Sequence, residues 1–183
     1  MKIELARRTI VASMLAVMCA AGGCASTGGP HVAGKPGPEQ ERAMAKLKSL
    51  AGEWTKPAHG EMPAATIVYS VTAGGSAVRE IMFPGTPHEM TNLYHADGGS
   101  IVCTHYCAAG NQPRMRAAGL SPDGKSIAFK FDSVTNLSSA DASYMGALTL
   151  DMPDADHLTQ TWMNYDHGKL QEQHAVFAFT RKK

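Results

Sequence analysis

The chain lacks most of the features from which a function can be read directly. Its 183 residues carry 17 Lys and Arg against 16 Asp and Glu, a formal charge of +1. It therefore has none of the basic excess that nucleic-acid binding needs. Basic residues gather only at Arg181-Lys182-Lys183, a short tail suited to solvation. No G-x-S-x-G elbow, no H-E-x-x-H pair and no phosphate-cradling glycine loop occurs, so the familiar hydrolase, zinc-protease and nucleotide motifs are excluded. Cysteine is scarce: of four, only Cys103 and Cys107 lie beyond residue 24. On an extended strand their Cα atoms would stand roughly 13 Å apart, whereas a disulfide spans about 4.4–6.8 Å. Two buried free thiols are expected. The same spacing opposes a metal at Cys103-x-His105-x-Cys107: bonds of ~2.0–2.3 Å let at most two such side chains reach one ion. Help from His95 would depend on an unknown hairpin register. Nucleophilic catalysis by either cysteine with His105 needs contact near ~3 Å, while same-face strand neighbours begin roughly 7 Å apart. Asp154 and Asp156 beside Pro153 read as a turn, and His59, His88 and His167 as solvated loop residues. No metal and no cofactor is expected, and enzymatic activity, though left open, has no assembled catalytic pair.

What is present begins at the N-terminus. Lys2, Arg7 and Arg8 form a positive region, residues 10–19 an apolar one, and Ala21-Gly22-Gly23 a small-residue cleavage site before Cys24. The segment resembles a bacterial lipoprotein signal with its lipobox, differing in having Ala21 where Leu is usual; an ordinary secretory signal is the alternative. The resemblance implies lipidation of Cys24, removal of residues 1–23 and, because Ala25 rather than Asp follows, sorting to the outer membrane on its periplasmic side. Several acyl chains at roughly 0.8 kcal/mol per buried methylene would make the anchor durable. Three cations and one anion leave with the leader, taking the formal charge from +1 to −1. The expected partners are the membrane, through this anchor, and a small molecule, with no nucleic acid.

Residues 24–38, rich in Gly and Pro, read as a lipidated cysteine and flexible tether, and 39–183 as one domain. Ala43, Met44, Leu47, Leu50 and Ala51 recur at helical spacing, with Pro38 before them, Glu39 and Glu41 in the first turn and Gly52 beyond. After Trp54 come short alternating runs at 53–56, 65–72, 77–83, 89–95, 100–107, 114–120, 126–132, 143–152, 157–165 and 171–181, separated by Gly, Pro and Asp turns. This pattern predicts an all-β fold, an antiparallel up-and-down barrel of about ten strands after one short helix. A β-sandwich is the alternative. On 100–107, Cys103, His105 and Cys107 share one face and Val102, Thr104 and Tyr106 the other, and periodicity does not say which is inside.

Leu47-x-x-Leu50-Ala51-Gly52-Glu53-Trp54 after a helix, with a closing Phe177-Ala178-Phe179-Thr180-Arg181, resembles the lipocalin-like or calycin barrels, and among them a bacterial L-x-x-L-x-G-x-W group. That resemblance implies that Trp54 closes one barrel end and Arg181 stacks on it. The glycine-rich continuation found in heme-binding relatives is missing, which speaks against heme.

The densest polar cluster runs from Thr104 to Arg116. At a barrel mouth, His105, Tyr106, Asn111, Gln112 and Arg114 would supply the few polar groups that orient a ligand in an apolar cavity. Alternatively the amides satisfy loop backbone while His105 and Tyr106 bond inside the barrel. Gln160, Trp162 and Asn164 alternate on one strand and, if inward, give the cavity an amphipathic wall. The leading expectation is a small hydrophobic or amphipathic ligand bound in the barrel. The alternatives are a structural or interaction lipoprotein with a side-chain-filled barrel, and a heme-binding or enzymatic barrel using His105.

Overall fold

The computed structural model describes residues 31–58, 60 and 63–183. The leader over 1–23, Cys24, the tether as far as residue 30, and His59 lie outside the described residues.

Helix α1 (Pro38–Lys48) begins with Pro38 in its first turn, and its acidic start and basic end (Lys46, Lys48) complement the helix dipole. Ala43, Met44 and Leu47 form its buried face, and Leu50 continues it just past the last turn. Gln40 fixes the helix in place: its Oε1 accepts from Gly37 N at 3.1 Å, while its Nε2 donates to the Gly99 and Ala118 carbonyls at 3.1 and 2.7 Å.

Ten strands follow: β1 (Gly52–Lys56), β2 (Ala65–Thr72), β3 (Ala77–Met82), β4 (Met90–Asp97), β5 (Ser100–Tyr106), β6 (Gln112–Ala117), β7 (Ser126–Thr135), β8 (Tyr144–Asp151), β9 (His157–Asp166) and β10 (Lys169–Arg181). Each pairs antiparallel with its chain neighbour, and β1 pairs with β10, so the sheet closes into a barrel rather than splitting into a sandwich. Closure leaves no unpaired edge. Alternate residues face inward, among them Ile67, Val78, Tyr94, Met115, Phe129 and Leu148, all essentially buried. The ambiguous face of β5 is settled: Cys103 and His105 point inward. Val102 is also fully buried on the outer side, between its register partners His95 and Arg116, which explains why the sequence pattern was unclear. Both cysteines are free, Cys103 buried and Cys107 only half-buried.

One end of the barrel is sealed. The Trp54 indole lies inside and donates through Nε1 to the Leu50 carbonyl at 2.8 Å. The Arg181 guanidinium lies 4.2 Å from the centre of that ring. Its Nη1 and Nη2 donate to the Ala51 and Ser49 carbonyls at 2.9 and 2.8 Å, and its Nε to Ala155 O at 2.8 Å. Arg181 thus ties together the end of α1, the β8–β9 turn and the β1–β10 closure. Gly52 is required beside it: its φ is +130°, and a Cβ there would come within 3.2 Å of Arg181 Nη1.

The opposite end is built from the loops at 83–89, 107–111, 136–143 and 167–168, with the described residues between β1 and β2. Towards it, β7 and β8 separate: their pairing stops at Phe129 and Leu148, although β7 continues to Thr135. The rings of Phe131, Tyr144 and Tyr165 gather there at centroid distances of 5.1–5.3 Å. Gly146 sits where β8 slips register against β9, and a Cβ on it would lie 2.5 Å from the Tyr165 ring.

Losing the Arg181 contacts removes a cation–π pair and three charged hydrogen bonds to carbonyls, together about 2–3 kcal/mol. Arg181→Ala is expected to lower the unfolding free energy by that amount and Arg181→Lys by about half, since lysine keeps the charge without the planar fork. Urea unfolding at neutral pH checks this; a change below about 0.5 kcal/mol in the alanine variant would mean that the seal contributes no stability.

Candidate functional site

The inward residues are not all apolar. On β3, Glu80 shares the inner face with Val78 and Met82 and is completely buried. A carboxylate placed there must be satisfied by protein donors. Tyr94 OH and Asn92 Nδ2 donate to its Oε2 at 2.6 and 2.7 Å, and Gln160 Nε2 donates to its Oε1 at 2.6 Å. Gln160 also donates to Tyr69 OH at 2.8 Å and accepts from Trp162 Nε1 at 3.1 Å. Burial raises the Glu80 pKa, and the donated hydrogen bonds offset only part of that rise. Burial, reinforced by the Glu80 charge, pushes the phenols of Tyr69 and Tyr94 well above their ordinary range, so they remain protonated.

The network extends to His105. Because the Asn92 amide nitrogen donates to Glu80, its Oδ1 is the atom facing His105 Nδ1, at 2.7 Å. This arrangement assigns the ring proton to Nδ1 and leaves the lone pair on Nε2. Nε2 is buried and has no hydrogen-bond partner. Burial lowers the pKa of His105 to about 4, so the imidazole is neutral near pH 7. Its ring lies against Trp162, with centroids 4.8 Å apart.

His105 and Trp162 border a hollow of about 100 Å³ whose other walls are Met82, Phe83, Met90, Cys107, Met145, Ala175 and Phe177. Met145, Trp162 and Ala175 also line a cleft of about 530 Å³ with Asn164, Asp166, Gln171 and His174. That cleft lies where β10 loses register with β9 between Leu170 and His174. Irregular pairing of this kind is common at barrel rims. Phe83 and Phe177 are shared with an apolar groove of about 540 Å³ that runs past Lys56, Pro63, Ala65, Thr86 and His88. The hollow thus shares walls with two larger clefts at the unsealed end.

The five residues expected to form one polar cluster are dispersed by strand alternation. His105 faces inward. Tyr106, the next residue, is exposed on the outside. Arg114 is on the outer wall, where it and Arg116 pair with Asp97 and Asp132 at 2.9–3.5 Å. Gln112 stays at the rim, donating to Gly110 O at 2.8 Å and accepting from Thr135 at 3.0 Å. Asn111 is buried at the rim and donates to Ser143 O at 3.2 Å. Gln160 and Trp162 do face inward, with Asn164 further out in the cleft. Glu80, Asn92, Tyr69 and Tyr94 escaped the sequence reading, although an acidic residue in phase with Val78 and Met82 was a usable signal. Among the described residues, no three His, Cys, Asp or Glu side chains come together as a metal site of those types would need.

Compared with known proteins, the chain matches no family model and no curated protein.

Since the folded state keeps His105 neutral down to about pH 4 while an unfolded histidine protonates near 6.5, its contribution to stability is present above pH 6.5 and is lost as pH falls toward 4. Between these limits the wild type is expected to lose roughly 3 kcal/mol more than His105→Gln. Urea unfolding across the window checks this, and parallel pH profiles would show that the imidazole is not held neutral.

Proposed function

We propose that this protein is a calycin-type lipoprotein of the bacterial cell envelope, anchored through Cys24 to the outer membrane and facing the periplasm, whose barrel binds a small hydrophobic or amphipathic molecule. The observation that carries the reading is the apolar hollow beside His105 and Trp162, which shares walls with two larger clefts at the end opposite the Trp54–Arg181 seal. Ligand sites of soluble barrels favour such mouths, with mostly apolar walls and a few placed polar groups. An apolar body would lie along Phe83 and Phe177, and a polar head would face Asn164, Gln171 and His174 in the cleft. A hollow of about 100 Å³ is too small for a porphyrin, so heme on His105 is not the reading adopted.

The second reading, an interaction lipoprotein with a filled barrel, draws on the Glu80 network, which occupies the barrel's middle. The two readings differ in what the mouth does. Of the two tryptophans, Trp54 is sealed under Arg181 and Trp162 borders the hollow, so ligand binding reports through Trp162. Titration with a medium-chain fatty acid or an anilinonaphthalene dye is expected to shift tryptophan emission saturably at one molecule per chain. Trp162→Phe should abolish the shift, and Ala175→Phe, which narrows the access, should weaken binding at least about tenfold, worth ~1.4 kcal/mol. Absence of saturable binding to the wild type would favour the filled barrel. Growth with labelled palmitate should label the wild type and not Cys24→Ser; absence of label from the wild type would refute the lipid anchor.

A further inference from the structure

The hollow beside His105 has a second chemical character besides being apolar. Three of its walls are thioethers (Met82, Met90 and Met145), one is the half-buried thiol of Cys107, and one is an imidazole whose Nε2 lone pair has no partner. These come from separate strands, β3, β4, β8 and β5 with the residue that follows it, so barrel closure and not sequence proximity brings them together. No carboxylate borders the hollow. Sulfur and imidazole donors with no carboxylate among the described lining suit a soft monovalent ion and are a poor set for hard divalent ones.

We infer that this hollow is a binding site for a soft monovalent metal ion, Cu(I), held by His105 Nε2 together with sulfur from Met82, Met90, Met145 and Cys107. The surroundings of His105 match what a metal-binding histidine requires. Its other nitrogen is committed to Asn92 Oδ1 at 2.7 Å, which fixes the tautomer and aims the free lone pair, and Asn92 in turn is held by Glu80. Met82 Sδ accepts from Asn92 Nδ2 at 3.4 Å, so it would have to turn from that contact to reach an ion, which an unbranched, adaptable methionine side chain can do. Trp162, 4.8 Å from the His105 ring, presents an aromatic face beside the same hollow. That face favours a cation on electrostatic grounds and makes the site visible by fluorescence.

The full-length protein should be titrated with Cu(I) under reducing, anaerobic conditions against a chromogenic Cu(I) chelator, with Ag(I) as a redox-inert probe and Zn(II) as the borderline divalent control. Expected are one Cu(I) or Ag(I) per chain that quenches Trp162, no quenching by Zn(II), and no quenching signal in Trp162→Phe. Replacing Met82, Met90 and Met145 together by Leu roughly conserves volume and removes the three sulfurs, with the loss of the Asn92 to Met82 contact, and circular dichroism checks that the fold is kept. This variant should bind Cu(I) at least 100-fold more weakly while still binding the apolar probe of the preceding section, so the two readings fail independently. His105→Phe should lose the Cu(I) quench as well. No Cu(I)-dependent quench in the wild type, or wild-type affinity in the triple leucine variant with its fold intact, would overturn the proposal.

Discussion

A carboxylate inside a closed barrel has no water to turn to, and the inner architecture of this protein is organised around that constraint. Glu80 receives hydrogen bonds from β4 on one side and from β9 across the barrel, so its satisfaction depends on strands far apart in the chain being in one register. A shift of β9 by one residue would turn Gln160 and Trp162 outward and leave Glu80 short of a donor. The network therefore acts less as a source of net stability than as a selector of one pairing among many, a role attested for buried polar groups elsewhere.

The rest of the molecule divides about this centre. On one side, α1, Trp54 and Arg181 use up every direction from which solvent could reach the core. On the other, strands part, bulges accumulate and the side chains become adaptable methionines. Bulges at Gly146 and between Leu170 and His174 are the means by which two strands that pair well at the sealed end diverge at the other. His105 belongs to both halves. Its Nδ1 completes the central network, and the other edge of its ring helps line the hollow. An identical imidazole without Asn92 behind it would be free to rotate or to present the wrong nitrogen.

The architecture was largely legible because alternation and turn chemistry act locally: all ten strands and the short helix lie where the pattern put them, with ends differing by a few residues. The Trp54 and Arg181 stack rests on a register that one pairing fixes. The interior was much less legible. The Thr104–Arg116 segment is rich in polar groups, but adjacent strand residues point to opposite sides, so His105 and Tyr106 could not share a pocket. Which of them is inside depended on the outer face too, where Arg114, Arg116, Asp97 and Asp132 form an ion-pair cluster around Val102 and blur the usual contrast. Glu80, Asn92 and Gln160 lie in three separate runs, and only cross-barrel geometry shows that they are partners. A single acidic residue in apolar phase marks a buried site without naming its donors.

The position of Arg181 also bears on the order in which the molecule can form. Its guanidinium holds the carbonyls of Ser49 and Ala51 across separations of 132 and 130 positions along the chain, and it lies on β10, which pairs back to β1. Nine strands can pair with their neighbours as hairpins while the tenth is still missing, yet such a sheet has two open edges and an unsealed tryptophan. Long-range closure of this kind is slow because the loop entropy must be overcome before any contact rewards it. The barrel therefore stays unlocked until β10 has docked against β1, and that one pairing both removes the open edges and covers the tryptophan.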